Sequence, residues 1–570
     1  MSAKQKTVQL GPWKKGIVNS KRADALAADE LLDALNVDIG DDGSARIRSG
    51  KSQTQAVEAA HSLVSAGPKT LICQGGSVGV ITSMWPFETT NLRSGLSAAR
   101  ISYAERGGEI WWSNGTESGR CNADNSDHPW TVPAPSNITT VYAGVGTLPP
   151  GTYRIAITHT SADGEESHAS DIYSYDLAST GSIVVTLPAA TAGADDFHVY
   201  CTVADGKVLQ LYSIVSTATG SVTITAAPTG NELGRRAFLR PLPAGDAICF
   251  HGGRLLSLSG EFLYYSDPYD YGLYDPATNV VTLGAAGSIL ASVESGLFVV
   301  ADSTWFYAGA DIAIADPVEK LAFGAASGTV FDHPTTTSPA VGWYSEEGVV
   351  IGSGDGSVSL PQRDKGFIAP IASSGSAWVR QRDGMAHVVI SLDGAASYNK
   401  QVSTDFTAAR IRYDDDATCV CMNLANGATS RYSSWYFNSY ANFEGDEYGL
   451  DSVGLRLLEG SNDDGTAIQA TVDCGLVGYG TPNIKAPECT YVTGKSSAPL
   501  VIDIALPSGT IYSYPARTYS EDPKVIRHDG MKGLMNVRTP WFSTVIRNDD
   551  GCSMEVYSVL VLINESNRKI

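Results

Sequence analysis

No run of about 18 apolar residues occurs anywhere in the 570-residue sequence, so nothing in it reads as a membrane-spanning helix. Lys4, Lys6, Lys14 and Lys15 stand near the start, but no apolar segment follows them, so no secretory leader is read there. Charge is scarce, at 18% of residues, against about a quarter in an ordinary soluble domain. Positive charge is scarcer still: 40 Lys and Arg face 61 Asp and Glu, a formal net charge of −21. Such a chain does not wrap nucleic acid through phosphate contacts, which need lysine and arginine. A negative wall can still line a passage in which a duplex slides without sticking, although net negative charge serves mostly to keep a large protein soluble.

Reactive-site patterns are missing too. There is no Gly-x-Ser-x-Gly, His-Glu-x-x-His, Walker loop or nucleotide fingerprint. The nine cysteines, at 73, 121, 201, 249, 419, 421, 474, 489 and 552, contain no Cys-x-x-Cys pair. They read as reduced, buried thiols of a protein made in a cytosol. Gly352-Ser353-Gly354-Asp355-Gly356 lacks the lysine and following helix of a phosphate cradle and reads as a hairpin turn. Asp414, Asp415 and Asp416 point apart on a strand or loop, and neither they nor Asp463-Asp464 offer the convergent oxygens calcium needs. His251 and His387 lie beside strand runs as packed or solvated residues. Glu346-Glu347 and Asp302 lie near strand ends, where a glycosidase would need paired carboxylates to converge. The aromatic stretch 262–274 could stack on sugars or pack between sheets and at a subunit contact. No catalytic, cofactor-binding or metal-binding residue is assigned.

What is present is strand material. Hydrophobic residues make up 43%, with 58 Gly and 26 Tyr. The length exceeds one core and implies two to four domains. Short apolar runs recur with glycine at their joints: Gly253-Arg254-Leu255-Leu256, Gly296-Leu297-Phe298-Val299-Val300, Gly348-Val349-Val350-Ile351 and Gly384-Met385-Ala386-His387-Val388. Their leading glycines are 43, 52 and 36 residues apart, the scale of a propeller blade. Each unit cannot bury both faces alone, and stacking around an axis solves that. Six to eight blades are expected; the alternative is an irregular set of antiparallel sheets. Between 135 and 232 the pattern changes. Tyr153, Ile155 and Ile157 alternate on one strand face, and further strands follow at the spacing of a fibronectin type III-like sandwich. The chain is therefore read as all-β: a β-propeller with an inserted sandwich and a C-terminal β-rich module. The divisions are an N-terminal helix and hairpin anchor (1–68), the first part of the propeller (69–135), the sandwich (136–232), the rest of the propeller (233–459) and the module (460–570).

The segment 11–51 opens with Gly-Pro-Trp and two lysines. Leu26, Leu31, Leu32 and Leu35 at near-helical spacing predict a helix over 23–35. Asp42-Gly43 then predicts a tight hairpin turn between strands carrying Ile39 and Ile47. The bland alternative is an ordinary capped helix followed by a hairpin. In this order the segment resembles the N-terminus of tail proteins of tailed bacteriophages, in particular the β-propeller nozzle or hub (tail tubular) proteins of short tails. The phrase PPGTYRIAITHTSADGEES at 149–167 is similar to sandwich modules inserted in the same proteins. Lys532-Gly533-Leu534, Trp541 and Asn548-Asp549-Asp550-Gly551 before a final strand resemble their C-terminal end. The resemblance implies a non-enzymatic virion protein made in the bacterial host cytoplasm and built into the tail. It implies a homo-hexameric ring extending the DNA-ejection channel. Its partners would be a portal or head-to-tail adaptor and tail fibres or a tail needle. Double-stranded DNA would pass without specific binding, and no membrane anchor is expected. Two alternatives stay open: a propeller glycosidase or depolymerase acting on bacterial surface polysaccharide, and a tail-tip receptor-binding or baseplate protein. The aromatic loop 267–279 is the expected subunit contact.

Overall fold

The computed structural model describes residues 4–334, 339–394, 419–480, 483–516, 519–522, 524–528 and 538–569. The run Asp414–Asp416 and the residues Lys532-Gly533-Leu534 lie outside them. The protein is all-β, and it forms two compact units. One contains Met1–Ala98, Ser288–Ala308 and Asp316–Ile570; the other contains Ala99–Gly287 and Gly309–Ala315.

The fold is a β-propeller with an inserted fibronectin type III-like sandwich and a C-terminal β-rich module. Among the described residues seven four-stranded antiparallel meanders have the blade pattern. In chain order they occupy 60–94, 102–128, 247–282, 289–321, 331–359, 375–432 and 439–457, and we number them as blades one to seven. Central strands are mostly buried because both their faces are covered. Gly296–Val300, for example, is buried along its whole length. Phe298 of blade four meets Phe306 at 4.8 Å and Trp343 of blade five at 5.3 Å between ring centroids, so neighbouring blades share one core. Blade seven takes its fourth strand from far upstream: Ser52–Ala56 pairs antiparallel with Gly454–Leu457. Blade strands thus begin at Ser52, before the boundary expected at 69.

The sandwich inserts between blades two and three. Its sheets are Val141–Leu148, Gly181–Thr186 and Ser221–Ile224 on one side, with Tyr173–Leu177, Gly151–Thr160, Asp196–Cys201 and Gln210–Ser216 on the other. Tyr153, Ile155 and Ile157 face inward against Ile183, Val185 and Phe197, as strict alternation requires.

The segment 11–51 is woven into the rest of the first unit. Trp13 is fully buried with Leu10, Ile17 and Leu31 in the largest apolar cluster. The predicted helix over 23–35 is not formed. Ala23–Ala25 makes one 3-10 turn, and Asp33–Leu35 is a strand. Long-range pairing displaces the helix: the Leu31 amide donates to Gly16 O, that of Leu32 to Asp473 O and that of Val18 to Leu31 O. Glu30 accepts the Ala27 amide at 2.9 Å and the Lys21 ammonium at 2.7 Å. Leucine spacing alone does not hold a helix whose amides find better partners elsewhere. The hairpin does form, with Val37–Ile39 paired to Ala45–Ile47. Gly43 turns it at φ +85°, and a Cβ there would stand 2.8 Å from the Trp13 amide nitrogen.

These N-terminal strands join two sheets. Asp33–Leu35 lies between Thr429–Tyr432 of blade six and Thr471–Val477. One nine-stranded sheet therefore runs from blade six into the C-terminal strands Phe542–Arg547, Val501–Ala505 and Ile511–Pro515. The hairpin itself pairs with Met554–Lys569, which also pairs with Lys4–Leu10 and Asn483–Ser496. The C-terminal module is consequently shared with the first 50 residues, and the expected separation of 1–68 from 460–570 is replaced by one interleaved body. The seam is also charged. Asp38 is buried and accepts from Arg380 Nη2 at 2.5 Å and from the Tyr432 hydroxyl. Burial alone would raise the Asp38 pKa; the charges of Arg380 and His387 with the Tyr432 hydrogen bond outweigh it and hold it below the usual carboxylate range. Asp33 receives Arg431 through two bonds, at 2.9 and 2.6 Å.

Removing one partner of a buried ion pair leaves the other charge stranded. Asp38→Asn should therefore cost about 3–5 kcal/mol. The double replacement Asp38→Leu with Arg380→Met should cost much less. Denaturant midpoints test this, and equal losses for the single and double variants would show that the pair does not hold the seam.

Candidate functional site

A cavity of about 1060 Å³ lies within the first unit. Its floor is a face of the nine-stranded sheet. Leu35, Thr471 and Arg547 are successive register partners there, and Asp503 sits opposite Ser513 on the adjoining pair. Across from them stand Arg48, Lys51, Ser433 and Ser434, with the 462–469 segment. Arg48 is fixed from several sides. It donates to Asn36 Oδ1 at 2.9 Å and to both Asp463 oxygens at 2.9 and 2.6 Å, and its guanidinium lies 4.7 Å from the Trp435 ring centroid. The Lys51 ammonium donates to the Ser434 carbonyl. Burial, aided by Arg456 and Arg48, pushes it below the usual lysine range against the pull of Asp463 and Asp451.

The carboxylates here are tied to arginines: Asp463 to Arg48, Asp464 and Asp451 to Arg456, and Asp503 to Arg547. A glycosidase needs one carboxyl held protonated beside one held ionised. Carboxylates neutralised one by one by guanidinium groups do not make that pair.

The other residues considered from sequence lie apart. Asp302 is exposed at a turn of blade four. Glu346 and Glu347 sit in the turn before Gly348, beside Arg363 at a separate cavity of about 190 Å³. His251 bonds the Gly309 carbonyl at 2.8 Å, and buried His387 bonds the Ile39 carbonyl at 2.9 Å. Gly352–Gly356 is a turn, with Ser353 and Ser357 closing it at 2.9 Å. Burial pushes the thiols of Cys201, Cys249 and Cys419 up to about 12, far from a reactive thiolate. Among the described residues no group of three or more His, Cys, Asp or Glu could hold a metal ion, and no helix is long and apolar enough to cross a membrane. Most of the aromatic stretch is packed. Tyr271 meets Phe250 at 5.1 Å and Trp111 at 5.9 Å, and Arg106 stacks 5.0 Å from Tyr271. Tyr269, 77% exposed, and Phe262, 41% exposed, are the exceptions.

The segment 162–167 carries Glu165 and Glu166. In the second unit it is the ionic foot of the sandwich. Arg120 of blade two forks onto Glu165 at 2.7 and 2.8 Å. Glu166 accepts Thr158 Oγ1 at 2.6 Å and the Tyr200 hydroxyl at 2.7 Å. Arg236 lies 3.6 Å from Glu166 and 3.0 Å from Asp270 of the aromatic loop. Nothing in the sequence pairs these groups, because they come from five separated segments.

No protein-family model matches the sequence, and no curated protein matches it. Solved structures with a similar strand-rich fold are distant. BBS1N in complex with ARL6DN is 10% identical and covers 61% of this chain and 94% of its own, with a TM-score of 0.26. An ancestral GH74 enzyme is 11% identical and covers 69% and 63%, with a TM-score of 0.25. An exo-beta-1,3-galactanase from Phanerochaete chrysosporium is 10% identical and covers 90% and 100%, with a TM-score of 0.18. Likeness at this level carries no argument about activity.

Burial would raise the Glu166 pKa, but His198 3.5 Å away, hydrogen bonds from Thr158 and Tyr200 and the charge of Arg236 bring it down to about 2 from 4.5. A depressed carboxylate stabilises the fold above its unfolded value and loses that contribution as pH falls through its folded value. The sandwich should thus lose about 3 kcal/mol between pH 4.5 and about 2. Glu166→Gln should flatten that slope, measured as sandwich melting against pH. An unchanged slope in the variant would show that other carboxylates govern acid unfolding.

Proposed function

We propose that the chain is a structural subunit of the tail nozzle or hub of a short-tailed bacteriophage. Several copies, six by resemblance, form a ring that extends the DNA-ejection channel. The observation that carries this reading is the seam. Two of the segments that resemble nozzle proteins, 11–51 and the final strand, meet in one sheet, where Ala45–Ile47 pairs with Met554–Lys569. The shared pattern is then the tie that closes the body, and a tie of that kind suits a subunit that must withstand DNA passage. The carboxylate–arginine pairing of the 1060 Å³ cavity supports a non-catalytic role, and the net charge of −21 suits a wall that repels phosphates. A portal adaptor above the ring and fibres or a needle at its side or tip would complete the tail.

Ring closure needs two different patches per subunit. Tyr269 is the strongest contact residue of the 267–279 loop. Its backbone sits at φ +59°, a conformation that strains a bulky residue and persists where the surroundings enforce it, and its ring is exposed. The packed remainder of the loop makes deletion unsuitable, so the point change is the better test. Native mass measurement and negative-stain imaging of the full chain should show a ring of six 60.1 kDa subunits. Tyr269→Asp should shift it to monomers. A wild-type chain that stays monomeric and releases sugar from bacterial envelopes would overturn the reading in favour of a depolymerase; a trimer would favour a tail-tip receptor-binding protein.

A further inference from the structure

The lining of the 1060 Å³ cavity is balanced in charge: Arg48, Lys51 and Arg547 against Asp463, Asp464 and Asp503. A ligand of a single charge sign would meet as much repulsion as attraction there. A neutral ligand rich in hydrogen-bonding groups meets no such conflict. The cavity also contains one unmet demand. Asp503 is 1% exposed, and its Oδ2 accepts Arg547 Nε at 2.9 Å. Its other oxygen, Oδ1, is buried with no hydrogen-bond partner among the described residues. A buried carboxylate oxygen without a donor is costly and calls for an explanation. Arg547 beside it is 30% exposed and so presents N–H groups next to that acceptor.

An acceptor and a donor fork side by side match two neighbouring hydroxyls, since each hydroxyl both donates and accepts. Leu35 and Ile511 on the same floor offer apolar surface for the C–H face of a ring. The volume of about 1060 Å³ lies just above the roughly 300–1,000 Å³ of small-molecule pockets, large enough for several linked rings. We infer that this cleft binds a neutral, polyhydroxylated chain, a saccharide segment, held by Asp503 and Arg547 on the sheet floor and by the Lys51–Ser434 wall, without cleaving it. The inference stands apart from the proposed place in a tail: it concerns a binding site on one subunit.

The test is retention of the full-length protein on an array of neutral oligosaccharides released from a panel of bacterial surface polysaccharides. The wild type should be retained on at least one feature. Asp503→Asn should reduce retention about tenfold or more, the scale of one charge-assisted hydrogen bond. Because Asp503 is buried and its variant could misfold, Ile511→Trp provides a second route. Ile511 is 37% exposed, so a larger ring there fills the cleft without disturbing the core, and retention should fall comparably. Retention should persist at about 1 M salt, where the Debye length is about 3 Å. The inference is overturned by an array with no retained feature, by retention that both variants leave intact, by retention abolished by salt, or by capture of extended peptides in place of sugars. None of these outcomes bears on ring formation, which Tyr269→Asp and the mass measurement read separately.

Discussion

A carboxylate that has been taken out of water must be met by a positive charge, and Asp38 meets Arg380 from a position 342 residues away in the chain. The rest of the first unit depends on that constraint. Asp38 is on the strand Val37–Ile39, directly after the strand that bridges blade six to the C-terminal strands. Fixing Asp38 therefore fixes the bridge. Asn36, at φ +56° between the two strands, receives Arg48 Nε and the Ser433 amide on its carbonyl oxygen and donates to Ser433 Oγ and Gln469 O. Its side chain is thereby fully used in holding four segments. Arg48 carries the same network onward to Asp463 and the cavity wall.

The pairing has a consequence for function. The chain has few positive charges, and many of its arginines are committed internally: Arg48, Arg120, Arg380, Arg431, Arg456 and Arg547 all hold carboxylates of the chain itself. The 1060 Å³ cavity is accordingly lined by neutralised pairs, Asp463 with Arg48 and Asp503 with Arg547.

Much of this was legible in the sequence where the signal is local. Asp42-Gly43 announced its hairpin because a positive φ favours glycine. The alternation of Tyr153, Ile155 and Ile157 gave the buried face of the sandwich, and the spaced glycine-led runs gave the blades. The failures have one cause, which is that partners came from far away. Leu26, Leu31, Leu32 and Leu35 fit a helical period, yet the Leu31 and Leu32 amides are taken by Gly16 and Asp473. Ser52–Ala56, sequence SQTQA, has no apolar alternation to mark it; it is a strand because Gly454–Leu457 needs a neighbour. The cavity was invisible for the same reason, since Asp503, Arg547, Arg48 and Lys51 meet only after the sheet has formed. The foot of the sandwich at Glu165 and Glu166 has no local signal, and its role appears once Arg120 and Arg236 are in place.

The central claim is that the N-terminal segment is the structural tie between the propeller and the C-terminal strands. Native-state hydrogen exchange of the full chain tests it most directly. If the claim holds, amides of 33–39 exchange as slowly as those of Cys419–Asn423 and Val501–Ala505, and all three speed up together when Arg380 is replaced. Early exchange confined to 33–39, with the two flanking strands still protected, would contradict it.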